Sequence, residues 1–95
     1  MPGTTNKAQR AKKVSLTCPA PDAMRVFVAG DFNGWDPAKN PMKKNKNGMW
    51  KTILGLLPGT YQYRFFVDGT WQNSPACTSL VKNEFGTYNC LLEVI

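Results

Sequence analysis

The 95-residue chain contains no histidine, only three cysteines and no long apolar run. Without histidine there is no Ser-His or Cys-His nucleophile pair, and the commonest general base is missing. Cys18, Cys77 and Cys90 are odd in number and lack C-x-x-C spacing, so neither a disulfide framework nor a structural zinc site is expected. The expectation is three reduced, buried thiols. Nowhere do about 18 apolar residues follow one another, and the N-terminal segment has no apolar stretch of the signal-peptide kind. The chain therefore reads as a soluble cytoplasmic protein that neither spans nor binds a membrane. No Gly-rich phosphate loop is present, and neither a cofactor nor a metal is expected.

The net charge of +6 suggests nucleic acid until it is mapped along the chain. Lys7, Arg10, Lys12 and Lys13 lie in a leading segment without acidic residues, which leaves eight basic against six acidic residues elsewhere. Residues 1–12 read as a disordered basic tail and residues 13–95 as one domain. A second cluster, Lys39, Lys43, Lys44, Lys46 and Lys51, falls in an Asn-, Pro- and Gly-rich stretch that reads as a long solvated loop. No nucleic-acid partner is expected.

Period-two alternation dominates and no helical stripe is present, which indicates an all-β protein of six or seven short strands, an immunoglobulin-like β-sandwich. Val14, Leu16 and Cys18 share one face, as do Val26 and Val28. Leu57-Pro58-Gly59-Thr60 reads as a type II turn closing a tight hairpin after the strand Trp50–Leu56. In Tyr61–Val67 the residues Tyr61, Tyr63, Phe65 and Val67 point to the core, and Gln62, Arg64 and Phe66 point away. Asp68-Gly69 is a type I′ hairpin signal that pairs Val67 with Thr70 and Phe66 with Trp71, so Trp71 emerges beside Arg64 and Phe66. In the last strand Tyr88, Cys90, Leu92 and Val94 face inward, and Thr87, Asn89, Leu91 and Glu93 outward.

Catalysis would have to rest on carboxylates, yet Asp31, Asp36, Asp68, Glu84 and Glu93 all sit in or near turns and strand ends, so no enzyme activity is expected. The unusual feature is Trp35, in Gly30-Asp31-Phe32-Asn33-Gly34-Trp35-Asp36-Pro37. It either folds back as a cap or stays exposed as a contact for a ligand. Trp50 and Phe32 read as core. An indole suits a sugar because the C–H face of a pyranose can lie on it while hydroxyls reach polar neighbours; Arg64, Gln62, Thr87 and Asn89 qualify. By analogy with base stacking each ring contributes roughly 1 to 3 kcal/mol.

Three segments in order, Gly30–Trp35, Tyr61–Trp71 and Phe85-Gly86-Thr87-Tyr88-Asn89, resemble the glycogen-binding domain of AMP-activated protein kinase β subunits, within carbohydrate-binding module family forty-eight. The resemblance covers about Val14 to Ile95 and implies an early set sandwich that binds α-1,4-glucans such as glycogen, starch or maltodextrins. It makes Trp35 and Trp71 the stacking platforms, Arg64 a hydroxyl donor in place of the usual lysine, and Thr87 and Asn89 polar contacts. Phe85 stands where the kinase subunit has leucine. The expected reading is a binding module without its catalytic barrel or scaffold segment. The alternative is a module of the same fold that docks on a protein partner in glycogen metabolism without touching sugar.

Overall fold

The computed structural model describes residues 11–75 and 77–95, and the proposed tail lies outside them apart from Ala11 and Lys12. Among the described residues eight strands form two antiparallel sheets: β1 (Lys12–Pro19), β2 (Val26–Gly30), β3 (Lys43–Lys44), β4 (Met49–Leu56), β5 (Gly59–Val67), β6 (Thr70–Gln72), β7 (Leu80–Lys82) and β8 (Tyr88–Val94). One sheet runs β1-β4-β3 and the other β2-β5-β8-β7. β5 is the axis of the second sheet. β2 covers one edge of Tyr63–Val67, whereas β8 and β6 divide the opposite edge, β8 taking Gly59–Tyr63 and β6 taking Phe65–Val67.

Alternation places Leu16, Cys18, Trp50, Leu54 and Leu56 of the first sheet against Val26, Val28, Tyr63, Phe65, Val67, Cys90 and Val94 of the second. The apolar faces close on one another as a β-sandwich. Trp50 is core, and its indole N–H donates to the Ala20 carbonyl (2.8 Å), which satisfies its polar end. Phe32 is half-buried against the cluster, 6.3 Å from Tyr61.

The Asp68-Gly69 turn has positive φ at both residues (47° and 85°) and pairs Phe66 with Trp71 and Val67 with Thr70, the register expected from the sequence. Asp68 does more than reverse the chain. Its carboxylate accepts the backbone N–H groups of Met24 and Arg25 (2.8 to 3.1 Å), tying this hairpin to the start of β2.

Four expectations are corrected. Leu57-Pro58 does not close a hairpin, because β4 and β5 belong to different sheets and the chain crosses the sandwich there. A turn signal reports that the chain reverses, not whether the flanking strands pair. The lysine-rich loop is also not free. Asp36 caps a short 3-10 turn at Pro37–Lys39, Pro41 bridges Phe27 of one sheet, buried Met42 enters the core, and Lys43–Lys44 pair with β4 of the other.

The third correction concerns the thiols. Cys18 is free and buried, but Cys77 and Cys90 form a disulfide, their Cα atoms 6.0 Å apart. Alternation placed Cys90 inward but carried no information about the β6–β7 crossover that brings Cys77 to it. A disulfide gives no support to the cytoplasmic placement expected from the sequence. Among the described residues no helix is long and apolar enough to cross a membrane. The fourth is Tyr88, which is 48% exposed rather than core, because β8 begins beyond the edge of the covered area.

Candidate functional site

Trp35 is positioned from below by a compact loop. Gly30 ends β2 so close to β5 that a Cβ would stand 2.5 Å from the Gln62 carbonyl oxygen. Buried Asn33 then fastens the loop: its Oδ1 accepts the Gly30 N–H (3.0 Å), and its amide donates to Val28 O and Asn40 Oδ1. Gly34 and Trp35 follow with φ of 66° and 61°, two left-handed residues in succession, which turn the indole out over β5. Asp31 holds it there. One carboxylate oxygen accepts the Trp35 indole N–H (3.0 Å) and the other accepts the backbone N–H of Gln62 (2.7 Å).

Trp71 arrives from the hairpin. Its ring lies 4.8 Å from Phe66 and 6.4 Å from Trp35, tilted by 60° to the latter, and it remains 39% exposed. Trp35 is therefore a half-buried wall beside Trp71 and not a cap on the core.

Between the tryptophans and the Asn83–Thr87 turn lies a groove of about 940 Å³, bordered by Asp31, Trp35, Gln62, Arg64, Trp71, Asn83, Glu84, Phe85, Thr87 and Asn89. All six residues singled out from the sequence, Trp35, Arg64, Trp71, Phe85, Thr87 and Asn89, line this one groove. Arg64 is half-buried on the Trp71 side; its Nε donates to Asn73 (3.0 Å) and a terminal nitrogen to the Thr87 hydroxyl (3.4 Å). Phe85 stands 82% exposed at the tip of the turn.

Asn89 differs from expectation. It shares the groove face with Thr87 but is only 7% exposed, because its amide donates to Gln62 Oε1 (3.0 Å) and its oxygen accepts from Asn83 (3.0 Å). One N–H and one lone pair remain, so it forms the polar floor.

Asn83 is the organiser that alternation could not reveal. Its Oδ1 accepts the N–H groups of Phe85 (3.0 Å) and Thr87 (3.1 Å), which builds the turn presenting both. The available signal was chemical, an Asn opening Asn-Glu-Phe-Gly as an Asx-turn. Asp31 was likewise legible only as a turn residue and Asn73 was not singled out, although each orients a groove side chain.

Among the described residues no group of three His, Cys, Asp or Glu could hold a metal ion. Burial raises the pKa of Cys18 and Tyr63, both on the core side of their sheets.

The outer face of the sandwich thus carries paired indoles beside fixed amide, hydroxyl and guanidinium groups. The chain belongs to the family described as the glycogen recognition site of AMP-activated protein kinase, whose profile matches residues 19–95. It is 42% identical over 69 residues to 5'-AMP-activated protein kinase subunit beta-2 of Mus musculus and of Homo sapiens, and 38% identical to subunit beta-1 of Rattus norvegicus. Each match covers 73% of this chain, which spans about a quarter (24%) of the length of those relatives.

Proposed function

We propose that the chain is a non-catalytic module that binds α-1,4-glucans in this groove, with Trp35 and Trp71 as stacking platforms. The observation that carries the reading is the Trp35–Trp71 pair, two indoles 6.4 Å apart on one wall of one groove. Successive glucose units lay their C–H faces on the rings. Arg64, Thr87 and the spare amide capacity of Asn89 and Gln62 meet the hydroxyls, and Phe85 closes the far rim. A non-catalytic role is supported by the lack of histidine and by the engagement of Asp31 and Asp68 with backbone N–H groups. Because the relatives named above are kinase subunits, a protein partner is part of this reading.

The test is titration calorimetry with β-cyclodextrin. Trp71 touches Phe66 and Trp35 but not the core, so Trp71→Ala should leave the fold intact and weaken binding at least about tenfold, or 1.4 kcal/mol. Unchanged affinity would remove the stacking claim.

A further inference from the structure

The face of the sandwich turned away from the groove has its own chemistry. Lys13 of β1, Lys43 of β3 and Lys51 of β4 stand on this face, Lys46 lies in the turn joining β3 to β4, and these elements carry no acidic residue; Lys12 and Lys44 are in register with the core residues Leu56 and Trp50 and so belong to the other side of the sheet. The acidic residues all lie elsewhere: Asp31 and Glu84 at the groove, Asp22, Asp36 and Asp68 in turns, and Glu93 on β8. Alternation puts Lys13, Ser15, Thr17, Lys51, Ile53 and Gly55 on the solvent side of β1 and β4.

Two features of this face lack an internal explanation. Lys43 and Lys51 are direct cross-strand partners, so two cationic side chains leave the same face side by side from adjacent strands about 4.8 Å apart. Like charges directly opposed on a sheet destabilise it. Lys12 and Lys44, by contrast, are used internally, the first donating to the Ile95 carbonyl and the second to the Pro21 carbonyl (2.7 Å).

Next to the pair, Ile53 is 59% exposed. Its neighbours on that face are too small to cover it: Gly55 lies on one side along β4, and Ser15 is its partner across β1. β3 is two residues long and ends before reaching it. The result is a recess of about 460 Å³ whose wall includes Pro41, Lys43, Lys51, Thr52 and Ile53.

We infer that the outer face of β1-β4-β3 docks an acidic protein segment, with carboxylates against Lys43 and Lys51 and an apolar side chain seated on Ile53. Charge complementarity selects an anionic partner. Exposed Ile53 beside Pro41, in a recess otherwise lined by Lys43, Lys44, Asn45, Lys51 and Thr52, selects a polypeptide, since carboxylates and a hydrophobic side chain must arrive together. No aromatic residue stands on this face, so neither a sugar ring nor a nucleobase has a platform to stack on. The groove lies on the other sheet, so both surfaces can be occupied at once. This inference stands independently of the glucan reading.

The test is fluorescence anisotropy with a labelled peptide of Glu-Leu-Glu-Gly repeats at physiological salt, alongside a labelled oligo-dT. Lys43→Gln/Lys51→Gln should weaken peptide binding at least about fivefold, which fits loss of two exposed ion pairs. Ile53→Ser should weaken it about threefold, a change that a purely electrostatic contact would not show. Both variants alter exposed side chains and should keep the wild-type melting temperature and β-cyclodextrin affinity. The proposal is overturned if the wild-type chain ignores the peptide, or if the double variant binds like wild type, which would place the contact on other basic residues. An unaffected Ile53→Ser variant overturns it too. So does tighter binding of oligo-dT that falls with the same lysine changes, since this would make the face one for nucleic acid.

Discussion

Asp31→Ala isolates the support of one platform from the platform itself. The wild-type carboxylate accepts two N–H donors, the Trp35 indole at 3.0 Å and the Gln62 backbone at 2.7 Å. Hydrogen bonds to a charged group contribute about 1.5 to 3 kcal/mol each when sheltered. Asp31 is exposed, and water can replace it at both donors, so the expected loss of folding stability is at the low end, about 1 to 2 kcal/mol in total. The effect on binding has a separate origin. Trp35 holds φ of 61°, a conformation that costs a non-glycine residue roughly 1 to 2 kcal/mol and persists only where its surroundings over-determine it. Without the Asp31 bond the indole can leave its position beside Trp71, and β-cyclodextrin affinity should fall about five- to tenfold, or 1 to 1.4 kcal/mol. Asp31→Asn should behave nearly as badly. Both partners are donors, and a carboxamide has one oxygen where the carboxylate offers two, so its NH₂ must face one of them. The assay is calorimetric titration paired with thermal denaturation of each variant. If Asp31→Ala binds within about twofold of wild type while Trp35→Ala loses tenfold, the indole does not depend on its hydrogen bond and the reasoning fails.

Three other outcomes are expected. Arg64→Ala should cost roughly 1 to 2 kcal/mol of glucan binding, measured by the same titration, whereas Arg64→Lys should retain most of it; because the lysine loses the Nε bond to Asn73, binding below that of Arg64→Ala would contradict the role of the charge. Cys77→Ser removes a crosslink between residues 13 apart, which should lower stability by roughly 2 to 3 kcal/mol and Tm on the order of 10 °C or more; a Tm that neither this change nor a reductant alters would argue that the bond does not form. Burial raises the Tyr63 phenol above 10.0 and the Cys18 thiol above 9.0. The folded chain therefore holds protons that the unfolded chain releases, so this stability is complete below about pH 9 and lost as pH climbs through the raised values. In urea titrations Tyr63→Phe should flatten the alkaline decline; a decline identical to wild type would locate its cause elsewhere.

Local chemistry was enough for the parts of the molecule that close within a few residues. The two faces of Tyr61–Val67 follow from a strand period of two, and the emergence of Trp71 beside Phe66 follows from a two-residue turn that needs positive φ at Asp68 and Gly69. Arg64, Trp71, Thr87 and Asn89 could be placed for the same reason, since each lies on or beside a strand whose facing alternation reads, whereas Trp35 and Phe85 stand in loops and were reached only through the family resemblance. What alternation could not carry was any contact whose partner is distant along the chain. The switch of sheet between β4 and β5, the bridging of both sheets by Pro41–Lys44, and the meeting of Cys77 with Cys90 are decided when the crossovers pack, because only the assembled core determines which strand lies beside which. Two supports of the site belong to that second class, while the Asn83 turn and the Asp31–Trp35 bond close within four residues. Asp31 reaches Gln62 across 31 residues, and Asn89 is drawn to the groove floor by Gln62, 27 residues away. Strand periodicity and turn chemistry were enough to put Arg64, Trp71 and Thr87 on one outward face, and the family resemblance added Trp35 and Phe85. Tertiary structure decided what holds them there, because a hydrogen bond forms only between groups that packing has already brought together.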